Sequence, residues 1–256
     1  MFNRRTLLHS SIASSPLLLT AGLALNQITA AAEPADALPG AIDLPVPYTS
    51  QAPDGSFVAP YDNYCEAAAI IMVGQYFSGD RRDRIPHEEA KTRLNQIGDY
   101  EKLKYPQYVV TQPGDNDKDL PLTAISEVAS HFYPKLRGQI VRFEPNAVKQ
   151  SLAAKKPVII PIMLHGAEGG EKLNTHYGKG DSYHTLVLIG YDEVNQLVYA
   201  NDPGFNILDP NDPNHHTDGK NVAYSWDNVS SAVEAQAHNP KLKFDQGREM
   251  LAFNLA

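Results

Sequence analysis

Cysteine is nearly absent from this chain: its 256 residues hold one, Cys65. No intrachain disulfide can form, so this is not a disulfide-stapled scaffold. Basic residues are also in short supply. Lys and Arg number 22 against 30 Asp and Glu, giving a formal net charge of −8. A surface of that sign repels phosphate backbones and anionic lipid, which excludes nucleic acid as a partner. Long apolar runs are missing as well. The N-terminal apolar stretch through Leu25 contains Pro16 and several serines, and it falls short of the ~20 apolar residues a spanning helix needs. No internal repeat is visible. Asn211-Asp212-Pro213-Asn214-His215-His216-Thr217-Asp218 fits no zinc or EF-hand spacing and reads as a solvated loop. Neither a metal nor a cofactor is expected.

What is present begins with an export signal. Asn3-Arg4-Arg5-Thr6-Leu7-Leu8 is a twin-arginine start, and Ala30-Ala31-Ala32 supplies a small-residue cleavage site. That layout over residues 1–32 points to export, and the paired arginines favour the Tat route. The expected location is the periplasm or the extracellular space, without stable membrane insertion once the signal is cleaved. Cleavage would remove two arginines and no acids, taking the formal charge from −8 to −10. Asn228-Val229-Ser230 is a glycosylation sequon only in a eukaryotic secretory route, which Tat export argues against. Residues 33–42 read as a linker and 43–256 as one domain with room for a single core.

Along that domain, Leu44 to Tyr48 reads as an edge strand because its prolines bar a central one. A helix is expected from Tyr64 to Tyr76, with Asn63 as its cap and Glu66 completing a capping box. Helices follow over Pro86–Gln96, stopped by Gly98, and over Leu122–Phe132. Gly138–Phe143 reads as a strand and Pro145–Lys155 as a short helix. Dense apolar runs at Val158–Leu164, Thr185–Ile189 and Gln196–Ala200 read as strands, the last two joined as a hairpin by Asp192–Asn195. Further strands are expected at 221–225 and 249–254, flanking a helix near 227–237. Trp226 reads as core. Helices first and antiparallel sheet second make an α+β fold.

Cys65 falls in the first turn of its helix, where the partial positive charge favours a thiolate, the reactive form. A lone exported thiol is an oxidation liability unless it is buried or used. A cysteine nucleophile needs a base, a group to orient that base, and donors for the oxyanion. His184 is the base candidate: it opens an apolar strand after a loop, and imidazole is the side chain suited to accept and return a proton within one turnover. His176 and His165, in or beside that loop, are weaker candidates. Asp202 ends the paired strand and would meet His184 at the same rim. Asn201 alternates to the other face and comes second. Gln51 is the candidate oxyanion donor, together with the Cys65 N–H. Each residue alone also has an ordinary structural reading: packed thiol, strand-end histidine, turn aspartate, loop glutamine.

These segments together resemble the papain-like cysteine peptidases. More narrowly, they resemble the free-standing relatives of the bacteriocin-leader-processing (double-glycine) peptidases. The resemblance spans roughly 43–230. It is carried by Leu44–Gln51, Tyr64–Val73, Lys156-Pro157-Val158-Ile159, His184-Thr185-Leu186-Val187-Leu188-Ile189-Gly190-Tyr191-Asp192 and Asn201-Asp202-Pro203. It implies a papain-like α+β fold, with N-terminal helices packed on a C-terminal antiparallel sheet. It also implies peptidase or amide hydrolase activity on a peptide or protein substrate. Cys65 would be nucleophile, His184 base, Asp202 orienter and Gln51 oxyanion donor. Two departures stand out: Cys-Glu-Ala replaces the common Cys-Gly-Pro, and the Gln51–Cys65 gap is wide for papain-like enzymes. The best-known members cut leaders within export transporters, a substrate that does not carry over to a chain bearing its own signal. A catalytically silent module binding a peptide or cell-envelope partner, or a thiol-dependent acyltransferase, would share the same residues.

Overall fold

The helix that opens at Cys65 is apolar on nearly every side, which decides its place. Helix α1 (Cys65–Phe77) is buried from Cys65 through Tyr76; a helix without a solvent face must be covered all round. In the computed structural model, which describes residues 38–108, 120–164, 173, 183–205, 219–237 and 247–256, it packs against α2 (His87–Lys104), α3 (Leu122–Phe132) and strand β4 (Tyr183–Asp192). Leu38–Ala256 forms one compact unit. The export signal, His165, His176 and the 211–218 loop lie outside the described residues.

The remaining elements are β1 (Ala41–Asp43), β2 (Leu136–Arg142), α4 (Pro145–Ala153), β3 (Val158–Met163), β5 (Leu197–Asn201), β6 (Val222–Ser225), α5 (Trp226–Ala237) and β7 (Glu249–Leu255). The strands form one sheet in the order β2-β7-β3-β4-β5-β6, with β1 also on β4, and every pairing is antiparallel. All six residues of β3 are buried, as are Val187, Leu188 and Ile189 of β4, the pattern of strands covered on both faces. Helix α1 packs on β4, α5 on β3, and α4 on both. The result is the expected α+β architecture. Trp226 lies in the core.

Several local expectations differ from the structure. Leu44–Tyr48 forms no edge strand; only Tyr48 makes an isolated bridge, to Arg84. Pro45 and Pro47 lack N–H groups, and the Val46 N–H turns back onto the Leu44 carbonyl at 2.7 Å. The edge pairing falls instead to β1, whose Ala41 and Ile42 lie in the stretch expected to be linker. Helix α2 runs through Gly98 to Lys104. Gly98 is there for close approach, since a Cβ at that position would lie 2.3 Å from the Tyr64 hydroxyl. Asn63 does not cap α1. Residues Tyr61–Asn63 form a 3-10 turn, and Tyr64 takes the cap position without a side-chain bond. Glu66 is thereby released from the capping box and turns elsewhere.

Candidate active site

The β4–β5 hairpin builds half of the site. Its register sets Val187 opposite Asn201, so Asp202, one residue further, reaches diagonally toward His184 on the same face. His184 Nε2 lies 2.7 Å from Asp202 Oδ1, both residues almost fully buried. The carboxylate accepts two more bonds, from the Tyr224 hydroxyl to Oδ2 at 2.7 Å and from the Gly204 N–H to Oδ1 at 2.9 Å. Burial alone pushes this carboxyl up. The charge of His184 and the bonds from His184, Tyr224 and Gly204 outweigh it and hold Asp202 below the usual carboxylate range. An ionised Asp202 accepting at Nε2 places the ring proton there, so Nδ1 carries the lone pair that can take a proton.

Asn201 faces the other way and works structurally. Its amide donates to the Val46 carbonyl at 3.1 Å, and its Oδ1 accepts from the Asn221 N–H at 3.1 Å.

Gln51 sits beside this rim because its loop is tied to the residue after Asp202. The Gln51 N–H and the Ser50 hydroxyl both donate to the Pro203 carbonyl, at 2.8 and 3.1 Å. The Tyr48 hydroxyl donates to the carbonyls of Asp202 and Phe205. Gln51 Nε2 donates to the Tyr61 carbonyl at 3.0 Å, while its buried Oε1 has no partner among the described residues. A side-chain amide has two N–H bonds, and this contact engages one of them.

Cys65 supplies the third side. It is the first residue of α1, 6 % exposed, and α1 packs on the strand that carries His184. Its Sγ contacts Glu66 Oε2 at 3.1 Å. The other Glu66 oxygen accepts from the Leu120 N–H at 3.3 Å. Burial pushes the Glu66 carboxyl up, against the opposing pull of Cys65, its own N–H, the Leu120 N–H and the charge of His184. Glu66 therefore touches the sulfur and lies in the field of the imidazole. Behind it, Glu101 of α2 is pushed well above the ordinary range by burial and then by Glu66.

The structure thus pairs His184 with Asp202, ties the Gln51 loop to Pro203 and packs the helix of Cys65 on the strand of His184, and Tyr224, Tyr48 and Glu66 add contacts to these parts. Tyr224 has no local signal, since only the β5–β6 register, which pairs Tyr224 with Val198, brings it near Asp202. Tyr48 is likewise placed by tertiary contacts. Glu66 was visible beside Cys65 but matched a capping pattern. Among the described residues no cluster of His, Cys, Asp and Glu is placed to hold a metal ion, and no helix is long and apolar enough to cross a membrane.

Comparison with known proteins finds one family and two solved structures similar to this chain. The model of the Peptidase_C39 like family matches residues 43–234. A solved structure assigned as a C39-like peptidase from Bacillus anthracis superposes with a TM-score of 0.51 at 18% identity, over 84% of this chain and 98% of that one. Xylellain, a cysteine protease from Xylella fastidiosa, gives 0.44 at 14% identity over 86% and 87% of the two chains. None of the curated proteins matches.

Proposed function

The chain belongs to the Peptidase_C39 like family, a family of cysteine-type peptidases, and on that premise we propose that it cleaves peptide or related amide bonds through Cys65, His184 and Asp202. The observation that carries the reading is the buried 2.7 Å contact between His184 and Asp202 on the strand against which the Cys65 helix packs. In the proposed sequence His184 Nδ1 takes the proton from Sγ, and the thiolate attacks the carbonyl carbon. The Cys65 N–H and the second N–H of the Gln51 amide hold the oxyanion. The imidazolium returns its proton to the leaving amine as the C–N bond breaks, leaving a thioester. Water, deprotonated by His184, then releases the acid and the thiol. Asp202 keeps the imidazole in the required tautomer and stabilises its charged form. Export by the N-terminal signal, with action outside the cytoplasm, belongs to the same proposal.

The test is Cys65→Ala against wild type, with a peptide library and a thiol-directed acyl probe. Turnover and labelling should both vanish in the variant. Equal turnover in the two proteins would sink the reading, and labelling without turnover on any peptide would favour the silent binding module.

A further inference from the structure

The mechanism leaves one group at the sulfur unused. Glu66 is 4% exposed, its Oε2 lies 3.1 Å from Cys65 Sγ, and its Oε1 is already occupied by the Leu120 N–H. It is not a cap for α1, whose cap position makes no side-chain bond. A buried carboxyl aimed at a nucleophile changes character with its proton. As an anion it only accepts, so it holds the proton on sulfur. As a neutral acid it donates, so it stabilises the thiolate.

The groups around Glu66 set which form prevails. Along α1 the neighbours are Cys65 itself and the N–H of Glu66, both of which favour the anion. From β4 comes the charge of His184, which favours the anion. From α2 comes Glu101, a second buried carboxyl whose Oε1 has no hydrogen-bond partner among the described residues. From the segment before α3 comes one backbone N–H, that of Leu120. Lys102 acts on Glu101 but is ion-paired on the surface with Asp99 at 3.4 Å. Two buried carboxyls cannot both ionise cheaply, and Glu101 is the one pushed well above the ordinary range, so it holds its proton, while burial is what raises Glu66. One imidazolium, already matched by Asp202, has to serve the thiolate as well.

We infer that Glu66 is a catalytic group in its neutral form: its Oε2–H donates to the Cys65 thiolate and stabilises the thiolate–imidazolium pair. The inference rests on Cys65 being the nucleophile. In the active form the proton moves from Sγ to His184 Nδ1, while the Glu66 proton stays on oxygen and turns to the sulfur. Loss of the Glu66 proton reverses that bond: the carboxylate accepts from Sγ–H, the sulfur keeps its proton, and the site falls silent. The Cys-Glu pair is thus a built-in limit on activity toward alkaline pH.

With only one cysteine in the chain, the ultraviolet absorbance of the thiolate reports on Cys65 alone, with Cys65→Ala as the blank. That absorbance and peptide turnover are followed against pH for wild type, Glu66→Gln and Glu66→Leu. The glutamine keeps a donor that cannot titrate and matches the native shape, so it answers the question even if the leucine variant fails to fold. The alkaline fall in turnover should move up by about one pH unit in Glu66→Gln, a tenfold gain on that limb. In Glu66→Leu, which has no donor, the acid limb of thiolate formation should move up by about one unit. Superimposable profiles in wild type and Glu66→Gln would overturn the inference. So would thiolate formation at lower pH than wild type in both variants, which means Glu66 is ionised throughout. Because absorbance needs no substrate, a failure of the peptidase reading shows as absent turnover in every protein, and leaves the thiolate profiles to judge Glu66.

Discussion

Asp202 and Glu66 are both buried carboxyls under the influence of His184, yet they lie on opposite sides of the ordinary carboxylate range. Burial pushes both up. Asp202 collects His184, the Tyr224 hydroxyl and the Gly204 N–H, at 2.7, 2.7 and 2.9 Å. Glu66 collects its own N–H, the Leu120 N–H at 3.3 Å and a sulfur. The quality of the donors decides the direction, not depth. The site thereby keeps a fixed anion on one side of its imidazole and an acid able to stay neutral on the other, the separation expected of paired carboxyls with different duties.

The most forceful way to break this comparison is Asp202→Ala. Removing the anion leaves the imidazole without its orienter and its neighbours without an acceptor. Turnover should fall about a hundredfold to ten-thousandfold. Stability should drop by about 3–5 kcal/mol, the cost of stripping one partner from a buried pair. Steady-state kinetics and urea unfolding measure the two effects. An unchanged turnover number would mean that the buried contact serves folding alone.

How much of this was legible in the sequence follows the range of the forces involved. The hairpin pairing of His184 with Asp202 could be read because period and turn position fix which residues meet across two adjacent strands. The helix at Cys65 could be read from local pattern, but its burial from Cys65 through Tyr76 comes from tertiary packing. Gly98 was read as a stop because its local meaning is a breaker, while its actual role depends on Tyr64 packing 34 residues away in the chain. Tyr224 reaches Asp202 through a second strand pairing. Glu66 matched a cap motif at the right spacing, and only the tertiary burial of α1 turned it to the sulfur. Near-neighbour contacts were readable, and contacts assembled by three or more elements were not.

A smaller change, Tyr224→Phe, sharpens the comparison by making Asp202 more like Glu66. It removes one donor from the charged carboxylate and leaves the ring in place. The loss should be about 1.5–3 kcal/mol, the usual worth of a hydrogen bond to a charged group. The pH dependence has a definite sign. Asp202 is depressed in the folded protein, so its contribution to stability is complete above the unfolded value near about pH 4 and is lost as pH falls through the folded one. With one donor gone, the folded value rises and the interval over which stability is lost narrows from its acid end. Thermal unfolding between about pH 2 and pH 7 would show a shallower acid slope than wild type. An identical slope would assign the depression to His184 and the Gly204 N–H.

The smallest expected effect comes from the other side, with Glu101→Gln. Glu101 is raised in the folded state, so the sign is opposite. Below the unfolded carboxyl value near about pH 4.3 both states hold the proton and burial of the neutral acid costs little. As pH rises from there, the unfolded chain releases the proton while the folded protein keeps it, and stability declines until the folded value is reached. Glutamine removes that decline, so the variant should be more stable than wild type at pH 7 and no different near pH 4. A neutral Glu101 puts no charge beside Glu66, so the alkaline limit on turnover should stay at its wild-type position. Stabilisation that is the same at both pH values would show that the glutamine acts through packing and not through the proton.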